Sequence, residues 1–154
     1  MNRLGFFIFV QLIIFLMPWI CPKCNRLFKH ATNYHSCVKV NADIHFANKK
    51  PNVKAVYEKI LKETKKFGKV NVSPVQSSIL LKNVSTFLGI KPRKDSVDID
   101  FFLPEETNEF PIYKTFRYTK NKAVHCVRLE SPKEVDKQLV NWMKISYSMA
   151  GGKK

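Results

Sequence analysis

Three cysteines and a histidine lie close together near the start of the chain, in the segment WICPKCNRLFKHATNYHSC over residues 19–37. Cys21 and Cys24 are two residues apart, and His35 and Cys37 follow as an H-x-C pair. A two-residue gap lets two thiolates converge from one tight turn, and three thiolates with one imidazole are a typical ligand set for structural Zn²⁺. We therefore predict a structural zinc site at Cys21, Cys24, His35 and Cys37, with no open position for a substrate.

His30 is the alternative fourth ligand. With Cys21, Cys24 and Cys37 it gives a C-x2-C-x5-H-x6-C pattern that approximates a zinc knuckle. A C2H2 set of the same region has too short a gap after Cys24 for a ββα finger. We favour His35, with Phe28 and Tyr34 packing as a small apolar lid. The other interpretation is that the three cysteines are simply buried or free thiols beside a solvated histidine.

Positive charge dominates the composition. The chain has 27 Lys and Arg against 12 Asp and Glu, a formal net charge of +15, and residues 21–70 hold 12 of the basic and 3 of the acidic residues. Such an excess favours nucleic acid, anionic lipid or an acidic protein as partner. The predicted polyanion contacts lie on one helix and one basic hairpin, at Lys54, Lys62, Lys65, Lys66, Lys91, Arg93 and Lys94. The alternative is that these side chains form an ordinary solvated surface.

The sequence contains no P-loop, G-x-S-x-G or G-x-G-x-x-G motif, so we assign no catalytic residue and expect a non-enzymatic binding module. A second hypothesis is a small-ligand or enzymatic pocket that uses Ser77, Lys82 and His125. Cys126 follows His125 on a predicted strand, where neighbouring side chains point to opposite faces. These two residues therefore cannot act as a nucleophile and its base.

The period of the apolar residues predicts the elements that position these side chains. Residues 51–67 have helical periodicity that ends at Gly68, and Ser131, Pro132 and Glu134 form a capping box that starts a second amphipathic helix. Residues 113–118 are aromatic and basic and fit neither period. Strands are predicted over residues 70–72, 77–82, 86–90, 97–103 and 123–129. In the fourth of these, Asp98, Asp100 and Phe102 alternate with the apolar residues and should face water.

These elements predict an α+β domain over residues 39–150, in which a small antiparallel sheet is packed by two amphipathic helices. The short zinc-binding leader, residues 21–38, precedes it.

Residues 1–20 are hydrophobic. The stretch from Leu4 to Ile20 carries no charge, and its length is the short limit for crossing a bilayer. It fits a membrane anchor, a secretory signal or translation from an upstream start codon. Lys23, Arg26 and Lys29 follow it, so the positive-inside rule predicts a cytoplasmic body, where thiols stay reduced. A third hypothesis is therefore an adaptor tethered to the membrane through residues 4–20.

Three longer segments carry a family resemblance: VYEKILKETKKFGKVNVSP, TFLGIKPRKDSVDIDFFLPEE and VHCVRLESPKEVDKQLVNWMKISY. Together, over residues 49–147, they resemble the domain of unknown function 5655 family. The segment over residues 19–37 is similar to the cysteine-rich leader often found before that domain. The resemblance implies a small α+β fold with no established activity, and it implies ligands at Cys21, Cys24, His35 and Cys37, without His30.

Overall fold

A computed structural model describes residues 18–35, 37 and 40–151. The chain divides into two compact units, Met1–Val38 and Lys39–Lys154. The hydrophobic stretch over residues 4–17 lies outside the described residues. Within the described part of the chain, no helix combines the length and the apolar character needed to cross a membrane.

The first unit contains a short hairpin in which β1 (Trp19–Ile20) pairs antiparallel with β2 (Leu27–Phe28). Trp19 and Ile20, the last two residues of the uncharged stretch, are thus the first strand of the leader hairpin. The connecting turn is closed by backbone hydrogen bonds, since Cys21 N donates to Arg26 O at 3.0 Å and Asn25 N donates to Cys21 O at 2.8 Å. Asn25 has a φ of 56°, in the left-handed region that asparagine tolerates better than most residues.

The second unit begins with a 3₁₀ turn (Ala42–Phe46) and then helix α1 (Pro51–Lys65), which ends two residues earlier than predicted. Proline suits the first helical position, because it has no N–H that would need a partner there. Val53, Val56 and Ile60 on its apolar face are fully buried. The periodicity therefore identified the face of α1 that enters the core.

Gly68 follows α1 with a φ of 141°. A Cβ at this position would lie 2.6 Å from the hydroxyl oxygen of Tyr147, which donates a hydrogen bond to Lys69 O at 3.1 Å. Both the backbone angle and the close contact therefore require glycine.

Six strands form one antiparallel sheet in the order β3-β4-β5-β6-β8-β7. Five of them match the predicted strands to within two residues, and the sixth, β7, covers the aromatic and basic residues that fitted no period. The strands are β3 (Asn71–Pro74), β4 (Ile79–Lys82), β5 (Thr86–Pro92), β6 (Val97–Leu103), β7 (Ile112–Thr119) and β8 (Lys122–Leu129).

One face of this sheet packs against the helices. Ile79, Ile90, Ile99 and Val127 lie side by side across four strands, and all are buried in one core with α1 and with helix α2 (Lys137–Ala150). The sheet is therefore covered on one side by two amphipathic helices, and the predicted α+β architecture is confirmed.

The start of α2 differs from the prediction. The capping box at Ser131 is present, but it closes a single 3₁₀ turn (Pro132–Glu134). Val135 then leaves the helical region with φ −78° and ψ 69°, and Asp136 caps α2 by accepting a hydrogen bond from Leu139 N at 2.8 Å. A second capping residue five positions later therefore determines where the long helix begins.

Ser146 connects α2 to two strands. Its buried hydroxyl donates to Phe87 O at 2.6 Å and accepts from Phe102 N at 2.9 Å. Thr86 lies opposite Lys82, and Leu88 opposite Leu81, so Phe87 is the extra residue of an irregular pair. The Ser146 hydroxyl thus provides hydrogen bonds to two backbone groups beside this irregularity.

Replacing Ser146 with alanine should lower the free energy of unfolding by about 1–3 kcal/mol, because both backbone groups lose a buried partner. Chemical denaturation of the variant measures this loss. Ser148→Ala is the matched control on the same helix, since the exposed Ser148 hydroxyl bonds only Lys144 O. The control should change stability by less than about 0.5 kcal/mol, and an equal loss in both variants would contradict the role of Ser146.

Candidate metal centre and charged surfaces

The β1–β2 hairpin positions two of the four predicted ligands. Cys21 and Cys24 lie in its turn and are buried, although the leader is a small unit. The side-chain donor atoms of Cys21, Cys24, His35 and Cys37 all lie within 4.8 Å of one another, and this group could hold a metal ion. Among the described residues, His30 does not belong to the group.

Two of the distances within the group match those of a tetrahedral zinc site. Zn–S bonds of about 2.3 Å imply an edge of about 3.8 Å between two sulfurs, and a Zn–N bond of about 2.0 Å implies about 3.5 Å between sulfur and nitrogen. The Sγ atoms of Cys21 and Cys37 are 3.8 Å apart, and Cys37 Sγ lies 3.4 Å from His35 Nε2. The donor set therefore suits a closed four-ligand site.

The ring of His35 is oriented by its second nitrogen. Nδ1 lies 3.0 Å from Asn33 O, to which a neutral imidazole donates its proton. Nε2 then keeps its lone pair on the side of the cysteines, which is the arrangement metal-bound histidines use. This hydrogen bond also raises the pKa of His35.

Aromatic rings cover His35, although not the predicted pair. Phe28 stacks on the imidazole at 4.1 Å between centroids, and Trp19 contacts it at 5.9 Å. Tyr34 is fully exposed, so its predicted place in the lid is wrong. Trp19 fills that place because it lies opposite Phe28 in the β1–β2 pair, where cross-strand side chains meet.

The thiols of the cluster differ in acidity. Burial opposes ionisation of Cys21, but hydrogen bonds from the backbone of Cys24 and Lys23 outweigh it and lower its pKa to about 6. Burial and the neighbouring Cys21 raise the pKa of Cys37. Several thiolates at this separation repel one another, so a divalent cation is the natural counter-charge.

The seven predicted polyanion contacts fall into two groups. Four of them already pair with a carboxylate: Lys54 with Asp43 at 3.8 Å, Lys66 with Glu63 at 2.6 Å, Lys91 with Asp100 at 3.5 Å and Arg93 with Asp98 at 2.8 Å. The other three are exposed and make no ion pair with any described residue: Lys62, Lys65 and Lys94.

Asp98 was expected to face water, and this expectation is wrong. The residue is 5% exposed, and its carboxylate accepts hydrogen bonds from Arg128 at 2.7 Å and from Arg93 at 2.8 Å. Burial opposes its ionisation, but the two guanidinium groups outweigh burial and hold the pKa below its usual value. Two long side chains therefore cover Asp98 on the face of the sheet that the helices do not occupy.

The face of the sheet that the helices do not occupy is the open face. It carries an aromatic cluster, defined as Phe102, Phe116 and Tyr118, and the sequence did not point to these residues as a site. Phe102 and Phe116 flank Val124 in the same cross-strand row, and the rings of Phe102 and Tyr118 are 5.9 Å apart. The signal in the sequence was the interleaving of aromatic and basic residues over 113–118. It did not indicate a site because no strand was predicted there.

The alternative pocket does not form, because its three residues lie apart. Lys82 ends β4 and His125 lies in β8, with β5 and β6 between them, a separation of about 14 Å at the usual strand spacing. Ser77 is exposed on the turn before β4. The structure does contain a cleft of about 440 Å³, but none of these three residues lines it. Its lining residues are Phe110, Pro111, Tyr113, Arg128, Glu130 and Glu134.

His125 is instead a core residue. It is fully buried, its ring stacks on Phe101 at 5.8 Å, and its Nε2 accepts a hydrogen bond from Thr107 N at 3.1 Å. Cys126 lies opposite Asp100 in the other row, which confirms that the two neighbours point to opposite faces. Burial lowers the pKa of His125.

Comparison with models of known protein families gives a match. The model of a family described as a domain of unknown function (DUF5655) matches residues 42–150 and leaves the leader outside. Comparison with curated proteins and with solved structures gave no match.

The lowered pKa of His125 predicts a pH dependence of stability. The unfolded chain takes up the proton near pH 6.5 and the folded chain only at lower pH, so folding stability is complete above that pH and falls as the pH drops through it. His125→Gln keeps an acceptor for Thr107 N but cannot titrate.

Denaturation at a series of pH values between about 7.5 and 5 should therefore give a shallower decline for His125→Gln than for the wild type. His30→Gln removes a histidine of the leader instead and is the control, which should keep the wild-type slope. Parallel slopes for wild type and His125→Gln would contradict this assignment.

Proposed function

The chain belongs to the DUF5655 family, and from this premise we propose that it is a non-enzymatic binding module whose basic domain docks on nucleic acid or a similar polyanion. A structural zinc ion holds the leader that precedes this domain. The observation that carries the metal part is the close approach of the four donor atoms, all within 4.8 Å.

Zinc is the divalent ion that this donor set favours. Thiolates are soft ligands, and tetrahedral sites with sulfur and imidazole donors are typical of zinc. The ion would be held by Cys21, Cys24, His35 and Cys37, and it would supply cross-linking rather than chemistry, because the four ligands complete its coordination. A segment of this size buries too little apolar surface to be stable without such a link.

The excess of positive charge supports the polyanion part of the proposal. A net charge of +15 on 154 residues raises the free energy of the compact state through self-repulsion, so it does not serve stability. Contacts with phosphates relieve that repulsion and release counterions, which makes the affinity dependent on salt and largely independent of sequence. Lys62, Lys65 and Lys94 suit such contacts because no described carboxylate neutralises them.

Metal analysis should find one zinc ion per chain. His35→Asn should weaken zinc binding by more than about tenfold. Removing a residue that only orients a ligand typically costs at least that much affinity, and His35 is proposed to be a ligand itself. His30→Asn is the matched control and should bind zinc as the wild type does. Native mass spectrometry of both variants decides the matter, and zinc retained at full affinity in His35→Asn would show that the site is assigned wrongly.

The salt dependence of binding tests the polyanion contacts. Replacing Lys62, Lys65 and Lys94 together with alanine should reduce the slope of log K against log salt by about 1 for each phosphate that a lysine no longer neutralises. The matched control replaces Lys54, Lys66 and Lys91, which lowers the formal charge equally but removes cations that already have carboxylate partners.

Filter-binding titrations on duplex DNA give both slopes. The first variant should change the slope more than the control. Affinity that ignores added salt in the wild-type protein would contradict the proposal.

A further inference from the structure

We propose that the open face of the sheet binds single-stranded nucleic acid by stacking bases on the aromatic cluster of Phe102, Phe116 and Tyr118. This inference rests on the proposed affinity for polyanions and names the class of nucleic acid and the surface that takes it. It concerns strands β6, β8 and β7, on the side of the sheet opposite to α1 and α2.

Two of the three rings of the cluster are exposed. Phe116 is 44% exposed and Tyr118 is 64% exposed, although aromatic side chains of this size are usually buried in a small domain. Phe116 and Phe102 flank Val124 in one cross-strand row, which places their Cα atoms about 10 Å apart at the usual strand spacing. A surface of this width suits two or three bases, the number that an aromatic sheet face typically stacks.

Basic side chains stand beside these rings. The ammonium of Lys122 lies 3.7 Å from the centroid of Phe102 and 6.0 Å from that of Tyr118, and the ammonium of Lys114 lies 5.7 Å from the centroid of Phe116. Lys114 makes no ion pair with any described carboxylate. Cations next to exposed rings provide what a single strand needs, since phosphates and unpaired bases are then contacted together.

Two carboxylates of the open face do not oppose such a ligand. Asp98 is buried under Arg93 and Arg128, and Asp100 pairs with Lys91 at 3.5 Å. Each of these two carboxylates is thus matched by at least one cation, and Lys114 adds a positive charge beside the rings. The charge of the face is therefore complementary to a phosphate backbone.

A peptide strand added to the edge of β7 is the less favoured occupant. β7 is irregular at two places, between Ile112 and Lys114 and between Arg117 and Thr119, and its residues include two cations. Irregular, charged edge strands resist pairing with another strand. Because the exposed rings lie on the open face, we expect the ligand to bind there rather than at the edge of β7.

Equilibrium binding of the zinc-loaded full chain tests the inference with three probes: an oligothymidylate of about 12 nucleotides, a duplex of equal length, and poly-glutamate as an anion without bases. Phe116→Ala and Tyr118→Ala should each weaken oligothymidylate binding by about tenfold, the loss typical of one stacking ring. The salt slope should stay unchanged because no charge is removed. Binding of the duplex and of poly-glutamate should stay at the wild-type level.

Two further variants keep the result interpretable. Tyr34→Ala removes an exposed ring of the leader and should leave oligothymidylate binding unchanged. Phe116→Leu keeps an apolar side chain on β7 for folding but removes the π-face, so it should reproduce the loss of Phe116→Ala.

The outcomes separate the inference from the proposed function. Unchanged oligothymidylate affinity in both aromatic variants overturns the inference, while salt-dependent binding of all three probes would leave the polyanion proposal standing. If the aromatic variants lose poly-glutamate binding to the same extent as oligothymidylate binding, the occupant is an acidic protein, and the inference is overturned. If the wild-type chain binds none of the probes, both proposals fail.

Discussion

The one-sided burial of a six-stranded sheet is the constraint on which the α+β unit depends. Two helices cover the face that carries Ile79, Ile90, Ile99 and Val127, and this burial supplies the apolar contact that an antiparallel sheet needs. The two helices leave the other face uncovered within the described part of this unit, and it carries charged and aromatic side chains. Asp98 on this face accepts hydrogen bonds from two arginines, and the open face mixes charged and aromatic side chains where the covered face is mainly apolar.

The leader follows a different rule. Its hairpin has strands of two residues each, which cannot bury a core of their own, and its apolar contacts centre on the ring of His35. The four donor atoms converge within 4.8 Å and could hold a metal ion, which would supply the cross-links that a buried core provides elsewhere. The hydrogen bond of His35 to Asn33 O orients the imidazole with Nε2 toward the cysteines, and the backbone bonds that lower the pKa of Cys21 favour its thiolate, the form that binds metal.

The sequence was informative wherever a local pattern decides the structure. The period of 3.6 located α1, the alternation over residues 97–103 located β6 at its observed bounds, and the C-x-x-C and H-x-C spacings selected four donors that do come together. Local patterns could not show which side chains meet across the sheet. Asp98 is covered by Arg93, five residues away, and by Arg128, thirty residues away, and the register that brings Arg128 opposite Asp98 is not visible in a local pattern. The order of the strands, which separates Lys82 from His125, was equally invisible in the sequence.

β7 is the strand of the six-stranded sheet that the sequence did not predict. A strand is predicted from alternation between a core side and a water side, but both sides of this edge strand are largely exposed, and its register shifts twice. The residues that break the pattern are the aromatic and basic ones. Burial selects apolar residues at alternate positions, and β7 lacks that pattern because it is an edge strand, where charges and irregular register also oppose pairing with another strand. Lys122 and Lys114 lie over the rings of Phe102 and Phe116, an attractive cation–π arrangement, and rings beside cations are also the combination that suits the proposed ligand, which carries both bases and phosphates.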